Sequence, residues 1–402
     1  MKQKTDYHYT LIVVAGCGLI AITLGLANNL AGLFFNDIAS EFNVGRGTVA
    51  FSVTAYSICS SIVGMLSPGI VRRLDFRRTA LIGATVMIGA TVAISMVNNI
   101  TTLILFNILR GFAGGLMGMV TVNIAINYWF HKNNALMTSI VMSFSGIVGA
   151  LLSPVLSSFI AVNGWRKGYL LVAAIMTVLS LPAVLLPISL RPKKLGLPPY
   201  GEDGNAIKKT EASEAKPIDP KLFVLLMIYT LMVPCATALS QHYIGISDSY
   251  GLAKAGAIMV SVTMVANTAG KLLYGLLSDK LGARLTSTIY ITLIIIGLTL
   301  LVTIHQLPVM LVCAALVGLS YSMGTVATSS IVREVFGPAN YSKTYPRLSF
   351  CITMSNSLFT TIIGSVYDIF GSYQIILIIM AIMEVVALAV VQIVFGKPKQ
   401  IQ

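Results

Sequence analysis

The sequence predicts an all-α membrane protein, with twelve transmembrane helices in two six-helix bundles. Three observations carry this. Of 402 residues, 56% are hydrophobic and 10% charged, against roughly 25% charged in a soluble domain. Apolar stretches recur along the whole chain, and about 20 such residues suffice to cross roughly 30 Å of hydrocarbon as a helix. The basic residues gather on alternate loops, as the positive-inside rule requires.

The predicted spans of the first half are 9–35, 47–71, 79–97, 101–128, 135–162 and 168–190. Those of the second are 221–246, 252–277, 285–304, 307–332, 348–367 and 372–395. The first is too long for the apolar core of a signal peptide and lacks a small-residue cleavage site, so it reads as a helix that stays in the membrane. Between the halves lies a polar stretch with Pro192, Pro198, Pro199, Pro217 and Pro220, a composition that favours a solvated linker. The expected organisation is an N-terminal bundle over 1–190, a cytoplasmic linker over 191–220 and a C-terminal bundle over 221–402.

An even number of crossings puts both termini on one side. That side carries Lys2, Lys4, Arg72, Arg73, Arg77, Arg78, Lys132, the bases from Arg191 to Lys221, Lys280, Arg284, Arg333, Lys343, Arg347, Lys397 and Lys399. The other has Arg46, Arg166, Lys167 and Lys254. Both termini are therefore expected in the cytoplasm, and the chain in the plasma (inner) membrane. The net charge of +13 follows topology and does not imply a nucleic-acid partner.

Cys17, Cys59, Cys235, Cys313 and Cys351 all fall within apolar runs, which leaves no disulfide framework and no metal-ligand pair in the loops. Gly111, Gly114, Gly115 and Gly118 lie in a lipid-length span rather than after a soluble strand, so they are not a nucleotide loop. No cofactor and no enzymatic activity are expected. At one constant offset Arg72 falls on Asp279, Arg77 on Arg284, Gly111 on Gly318 and Trp129 on Phe336, which points to a parallel repeat of the two halves.

The segment Gly275-Leu276-Leu277-Ser278-Asp279-Lys280-Leu281-Gly282, with Arg284 beyond it, joins two spans on the cytoplasmic side. It resembles the signature loop of the major facilitator superfamily, which implies the major facilitator fold. The resemblance makes Gly275, Asp279, Lys280, Gly282 and Arg284 gating residues, with Asp279 accepting charged hydrogen bonds that form in one conformation and break in another. The simpler alternative is that these charges only end the helix at the headgroups. The equivalent loop, Gly69 to Arg78, keeps the bases Arg73 and Arg77 but has Arg72 in place of the aspartate and Asp75 in place of the glycine.

Arg110, followed by Gly111, Gly114 and Gly115, resembles the arginine-glycine motif of the fourth helix in that superfamily. An arginine there is costly in lipid and should face a polar cavity or a partner, while the glycines permit close helix packing. A narrower resemblance, to the oxalate/formate antiporter and monocarboxylate transporter families, rests on three pieces. They are Tyr128-Trp129-Phe130-His131-Lys132 with Gly146, Gly149, Pro154 and Gly164-Trp165-Arg166, then Leu195-Gly196-Leu197-Pro198-Pro199-Tyr200-Gly201, then Phe336-Gly337-Pro338 with Asn340 and Tyr341.

That resemblance implies a substrate-carboxylate partner in the eighth helix, where this chain has Lys271 in place of arginine. Lysine keeps the charge and loses the bidentate fork. Asn267 stands where proton-coupled carriers have aspartate, and 348–367 holds no second cation, which disfavours a dicarboxylate. Asn28, Asn29, His242 and Tyr321 complete the candidate substrate site; His242 could carry a proton. Glu384, in the twelfth span, should be protonated or paired and reads as a supporting contact.

The expected function is secondary active transport by alternating access. The cargo would be a small organic anion such as a monocarboxylate, moved by proton symport or anion exchange in a functional monomer. An amino acid, sugar or drug carrier and a transporter-like sensor are the alternatives.

Overall fold

The computed structural model describes residues 2–201, 218–252 and 255–396. Residues 202–217 of the expected linker, and Lys254, Lys397 and Lys399 of the charge argument, lie outside these. Among the described residues, ten helical stretches are long and apolar enough to cross a membrane. The first seven spans are Tyr7–Phe34, Phe51–Leu74, Phe76–Ile94, Ile100–Trp129, Asn134–Leu152, Trp165–Leu185 and Pro220–Gln241. Then come Ile258–Thr303 and Leu307–Gly364, and last Gln374–Gly396. Ile258–Thr303 is interrupted at Gly282 (φ 82°, ψ 159°), and Leu307–Gly364 at Gly337 (φ 75°, ψ 166°). Each is therefore two spans joined by a one-residue reversal, which makes twelve.

Only glycine takes such a positive φ without steric cost, so these two positions fix where the eighth span gives way to the ninth and the tenth to the eleventh. The eleventh span also begins earlier than its hydropathy predicts. Pro338 follows the reversal directly, and the polar residues up to Arg347 are helical, where a loop was expected. Proline in a first helical turn loses no intrahelical hydrogen bond, and the segment can be polar because helix formation does not require it to be apolar.

Four spans depart from α geometry. The first is π-helical over Ala21–Asn29 and 3-10 over Ala31–Phe34, and the seventh is 3-10 over Val233–Gln241, with Pro234 in its first turn. The fourth breaks at Gly118 (φ −82°, ψ −148°), and the tenth is π-helical over Met323–Ala327. First and seventh, like fourth and tenth, hold equivalent places in the two sets of six. Non-helical backbone at membrane depth survives where protein or a wet cavity surrounds it; Val233 to Ser240 are all buried.

The chain divides into two compact units, one of Met1–Asn133 and Ile140–Ala212, the other of Asn134–Ser139 and Ser213–Gln402. In the first, the start of the expected linker is largely exposed yet tied to the bundle by hydrogen bonds. The Tyr9 hydroxyl donates to Pro198 O at 2.7 Å, Tyr200 bridges to Phe130, and Trp129 Nε1 donates to Ser189 O at 3.0 Å. Tyr9, Trp129, Phe130 and Tyr200 form an aromatic cluster over these bonds. Composition did not reveal this because prolines and lysines mark a break in a helix equally well in a free loop and in a packed one.

Candidate transport site

In the first unit, Arg110 is 2% exposed on the fourth span. Its Nη1 donates to Asn107 Oδ1 at 3.0 Å, and its guanidinium lies 5.9 Å from the Tyr169 ring centroid on the sixth span. Asn107 is held in turn by Leu103 O at 3.1 Å. Among the described residues no carboxylate pairs with Arg110, and its Nε has no hydrogen-bond partner. A Cβ on Gly111 would lie 2.5 Å from Tyr56 O, and one on Gly115 2.6 Å from Ser60 O, so the glycines bring the second and fourth spans together. Tyr56 also donates its hydroxyl to Thr23 O in the π-helical stretch at 2.8 Å. On that stretch Asn28 is half-buried and Asn29 exposed; Asn29 reaches Ser145 O on the fifth span at 3.3 Å, not Arg110.

In the second unit, Lys271 (2% exposed) and Asn267 lie buried one turn apart on the eighth span. A Cβ on Gly270 would lie 2.8 Å from Leu319 and 3.0 Å from Ser322 Oγ, so the eighth span packs directly on the tenth beside Tyr321. The Tyr321 hydroxyl shares a hydrogen bond with Ser240 of the seventh span at 2.9 Å. Asn267 Oδ1, Ser320 Oγ and Ser322 Oγ are buried without hydrogen bonds. His242 lies elsewhere, at the end of the seventh span, bonded through Nε2 to Thr360 O at 2.9 Å.

The gating candidates take definite partners. Asp279 accepts from the amides of Ala135 (3.2 Å) and Leu136 (2.8 Å), in the helical turn Asn134–Ser139 that groups with the second unit. An anion at exposed first-turn amides is favoured by the helix dipole as well. Gly275 permits the approach, since a Cβ there would lie 2.2 Å from Ser139 Oγ. Arg284 binds Gln392 Oε1 through Nε (3.0 Å) and Nη2 (2.9 Å) rather than Asp279, while Lys280 is exposed. Arg72 and Arg77 donate to Pro68 O and Val184 O at 3.0 and 2.7 Å, and Arg73 is exposed.

Sequence reasoning passed over Asp75. It accepts from the amides of Phe76 and Leu190, each at 2.8 Å, from Ser189 at 2.9 Å and from Lys194 Nζ at 3.1 Å. Partial burial pulls its carboxyl upward, but the Leu190, Phe76, Lys194 and Ser189 donors outweigh that and hold it below the ordinary carboxylate range. The signal was present in the repeat, an acid at a glycine position. On the opposite side of the membrane in the predicted topology, Glu41 binds Arg166 and Trp165 Nε1 (2.6 Å), and the Arg166 hydrogen bond above all keeps its carboxyl low.

Twelve spans in two repeated sets, non-α stretches at matching places and cations buried in both units define a polytopic carrier of small solutes. The model of the Major Facilitator Superfamily matches residues 17–261 and 222–400, and the chain belongs to that family; it is a multi-pass membrane transporter and not an enzyme. No curated protein matches it significantly in sequence. Among solved structures it is similar to the proton:xylose symporter XylE, at 14% identity and a TM-score of 0.79 over 98% of this chain and 97% of that one. It is also similar to the transporter FucP in its outward conformation, at 13% and 0.73 over 96% and 98%. A further structure, of the E. coli fucose:proton symporter FucP, aligns at 13% and 0.72 over 96% and 99%. At these identities the likeness establishes the fold alone.

Proposed function

We propose that the chain moves a small organic anion, such as a monocarboxylate, across the plasma membrane by alternating access, through proton symport or anion exchange. The observation that carries this reading is Arg110, a buried guanidinium with an unpartnered Nε and no carboxylate beside it. A charge of this kind at the centre of a membrane helix costs about 2.5–3.5 kcal/mol or more, and a bound carboxylate would offset much of that through charge-assisted hydrogen bonds. In the first unit Asn28 and Asn29 join Arg110 as candidate binding residues; in the second Lys271 supplies a further fixed charge, with Asn267 and Tyr321, and His242 at the end of the seventh span. Asp279, with Gly275 and Gly282, acts in closure. The basic residues on the side of the termini support a cytoplasmic placement of both ends.

A sugar is the second reading, favoured by the buried and unbonded Asn267 Oδ1, Ser320 Oγ and Ser322 Oγ and by xylose and fucose as the cargoes of XylE and FucP. Counterflow in proteoliposomes separates the two. Labelled lactate, formate, oxalate, xylose and fucose are offered to the original protein and to Arg110→Gln and Lys271→Gln. Exchange of lactate or formate, reduced at least tenfold in Arg110→Gln, is expected. Exchange of the sugars alone would overturn the anion reading, and no flux of any solute would leave a sensor as the better account.

A further inference from the structure

Glu384 lies in the middle of the twelfth span, 0% exposed, and neither of its carboxyl oxygens has a hydrogen-bond partner. An ionised carboxylate in that state would leave up to four acceptor sites unfilled in a low-dielectric interior, at a cost of several kcal/mol. The carboxyl has an outlet only through what surrounds it. Its helix packs against the seventh span, which carries the buried Tyr229 and Cys235. The Tyr229 hydroxyl is itself buried without a hydrogen bond of normal geometry, although Thr328 is within reach. On the seventh span the other charged group is Lys221, two turns toward the cytoplasm. The ninth span, also packed on the twelfth, has two titratable residues. Tyr290 turns away to donate to Gly270 O at 2.7 Å, and Arg284 is committed to Gln392, two turns from Glu384. Near the end of the eleventh-span helix, which runs to Phe370, Tyr367 stacks on Tyr373 ahead of the twelfth.

Tyr229 and Cys235 also flank the point at which the seventh span passes from α-helix (Pro220–Met232) to 3-10 helix (Val233–Gln241). The unpartnered acid therefore sits behind the least regular part of a span that carries Ser240, the partner of Tyr321. Losing the proton would create a charge with no hydrogen bond to meet it, on a helix packed against the seventh span, where the Tyr229 hydroxyl is a buried donor also without one; bringing a donor to it requires that the seventh span repack. We propose that Glu384 is a proton-binding site, and that its protonation state sets the packing of the seventh span and so links proton movement to transport. The link rests on reading the chain as a gradient-driven carrier but not on the identity of its cargo.

The test uses the full chain reconstituted in phosphatidylcholine–phosphatidylglycerol vesicles, with the proton itself as probe. Infrared difference spectra are recorded on stepping the pH within the range where the protein stays folded, in H2O and D2O, on unlabelled and 13C-glutamate-labelled protein. A protonated-carboxyl carbonyl band is expected that shifts in D2O and with the label, falls on alkaline steps and is missing from Glu384→Gln. In Tyr229→Phe, which keeps the carboxyl and removes the buried hydroxyl, the band should persist with a displaced frequency or midpoint. If Glu384→Gln does not fold, the labelled band and its response to Tyr229→Phe decide the matter. A labelled band that is absent, that neither titrates nor exchanges deuterium, or that ignores Tyr229→Phe overturns the assignment. Failure of every carboxylate in counterflow would defeat the anion reading and leave this result untouched.

Discussion

The two reversals at Asp75 and Gly282 hold equivalent places in the repeat and have nearly the same backbone, φ 72° and ψ 163° against φ 82° and ψ 159°, yet they are stabilised by different chemistry. In the second unit the strained conformation falls to glycine, and the amide of Ala283 that opens the next helix is met by Glu334 Oε2 at 3.0 Å, a carboxylate borrowed from the tenth span. In the first unit the residue at the place of Glu334 is Asn127, and the reversal carries its own carboxylate. Asp75 caps Phe76 itself and holds Ser189, Leu190 and Lys194 with the same two oxygens. A non-glycine residue at such a φ and ψ costs about 1–3 kcal/mol, and four donors to one carboxylate outweigh that. The lesson is that the sequence repeat preserved a backbone shape while one copy turned it into an anchor for the chain that leaves the bundle.

The largest effect is expected from removing that anchor. Asp75→Ala keeps the strain and loses every donor's partner, and should destabilise the first unit by about 2–3 kcal/mol. Thermal unfolding in detergent measures the loss, and hydrogen exchange over 189–201 should accelerate. Unchanged exchange there would break the comparison. Asp75→Gly relieves the backbone and should recover about 1 kcal/mol of the loss without restoring the protection of 189–201.

Next comes Glu334→Ala, which leaves Ala283 uncapped and should cost about 1–2 kcal/mol by the same unfolding measurement. Gly282→Ala should cost about 1–2 kcal/mol. Gly282→Asp sharpens the comparison further. Its Cβ would lie 3.9 Å from both Glu334 oxygens, so the new carboxylate meets a like charge; adding Glu334→Ala should then restore stability by letting the aspartate cap Ala283 as Asp75 caps Phe76. Failure of the double variant to exceed Gly282→Asp would show that the two loops are not interchangeable.

The smallest effect is with pH. The Asp75 carboxyl in the fold lies below its ordinary value of about 3.9, so its contribution is complete above that value and is lost as the pH falls through the lower, folded one. Emission of Trp129, which is bonded to Ser189, should report the release in a Trp165→Phe background, since the chain has two tryptophans. The transition should disappear in Asp75→Gly.

Much of the candidate site was legible because a charged side chain inside an apolar run stands out by its own cost. Arg110 and Glu384 stand out that way, while Lys271 and the motif glycines were placed by the family resemblance. What could not be read was the partner of each charge. Asp279 takes backbone amides of Ala135 and Leu136, and Arg284 takes Gln392. The packing of Tyr200 and Pro198 on Tyr9, far away in sequence, was equally invisible in the prolines and lysines around them.

The sequence by itself determined the solvent, the number of crossings and the two-fold repetition, because transfer of each residue to hydrocarbon is a local free energy that sums along a window. Tertiary structure alone decided which polar groups are satisfied. That Asp75 is saturated with donors while Glu384 and the Nε of Arg110 have none depends on which helix lies beside which, and hydrogen bonds form between neighbours in space, whatever their separation along the chain.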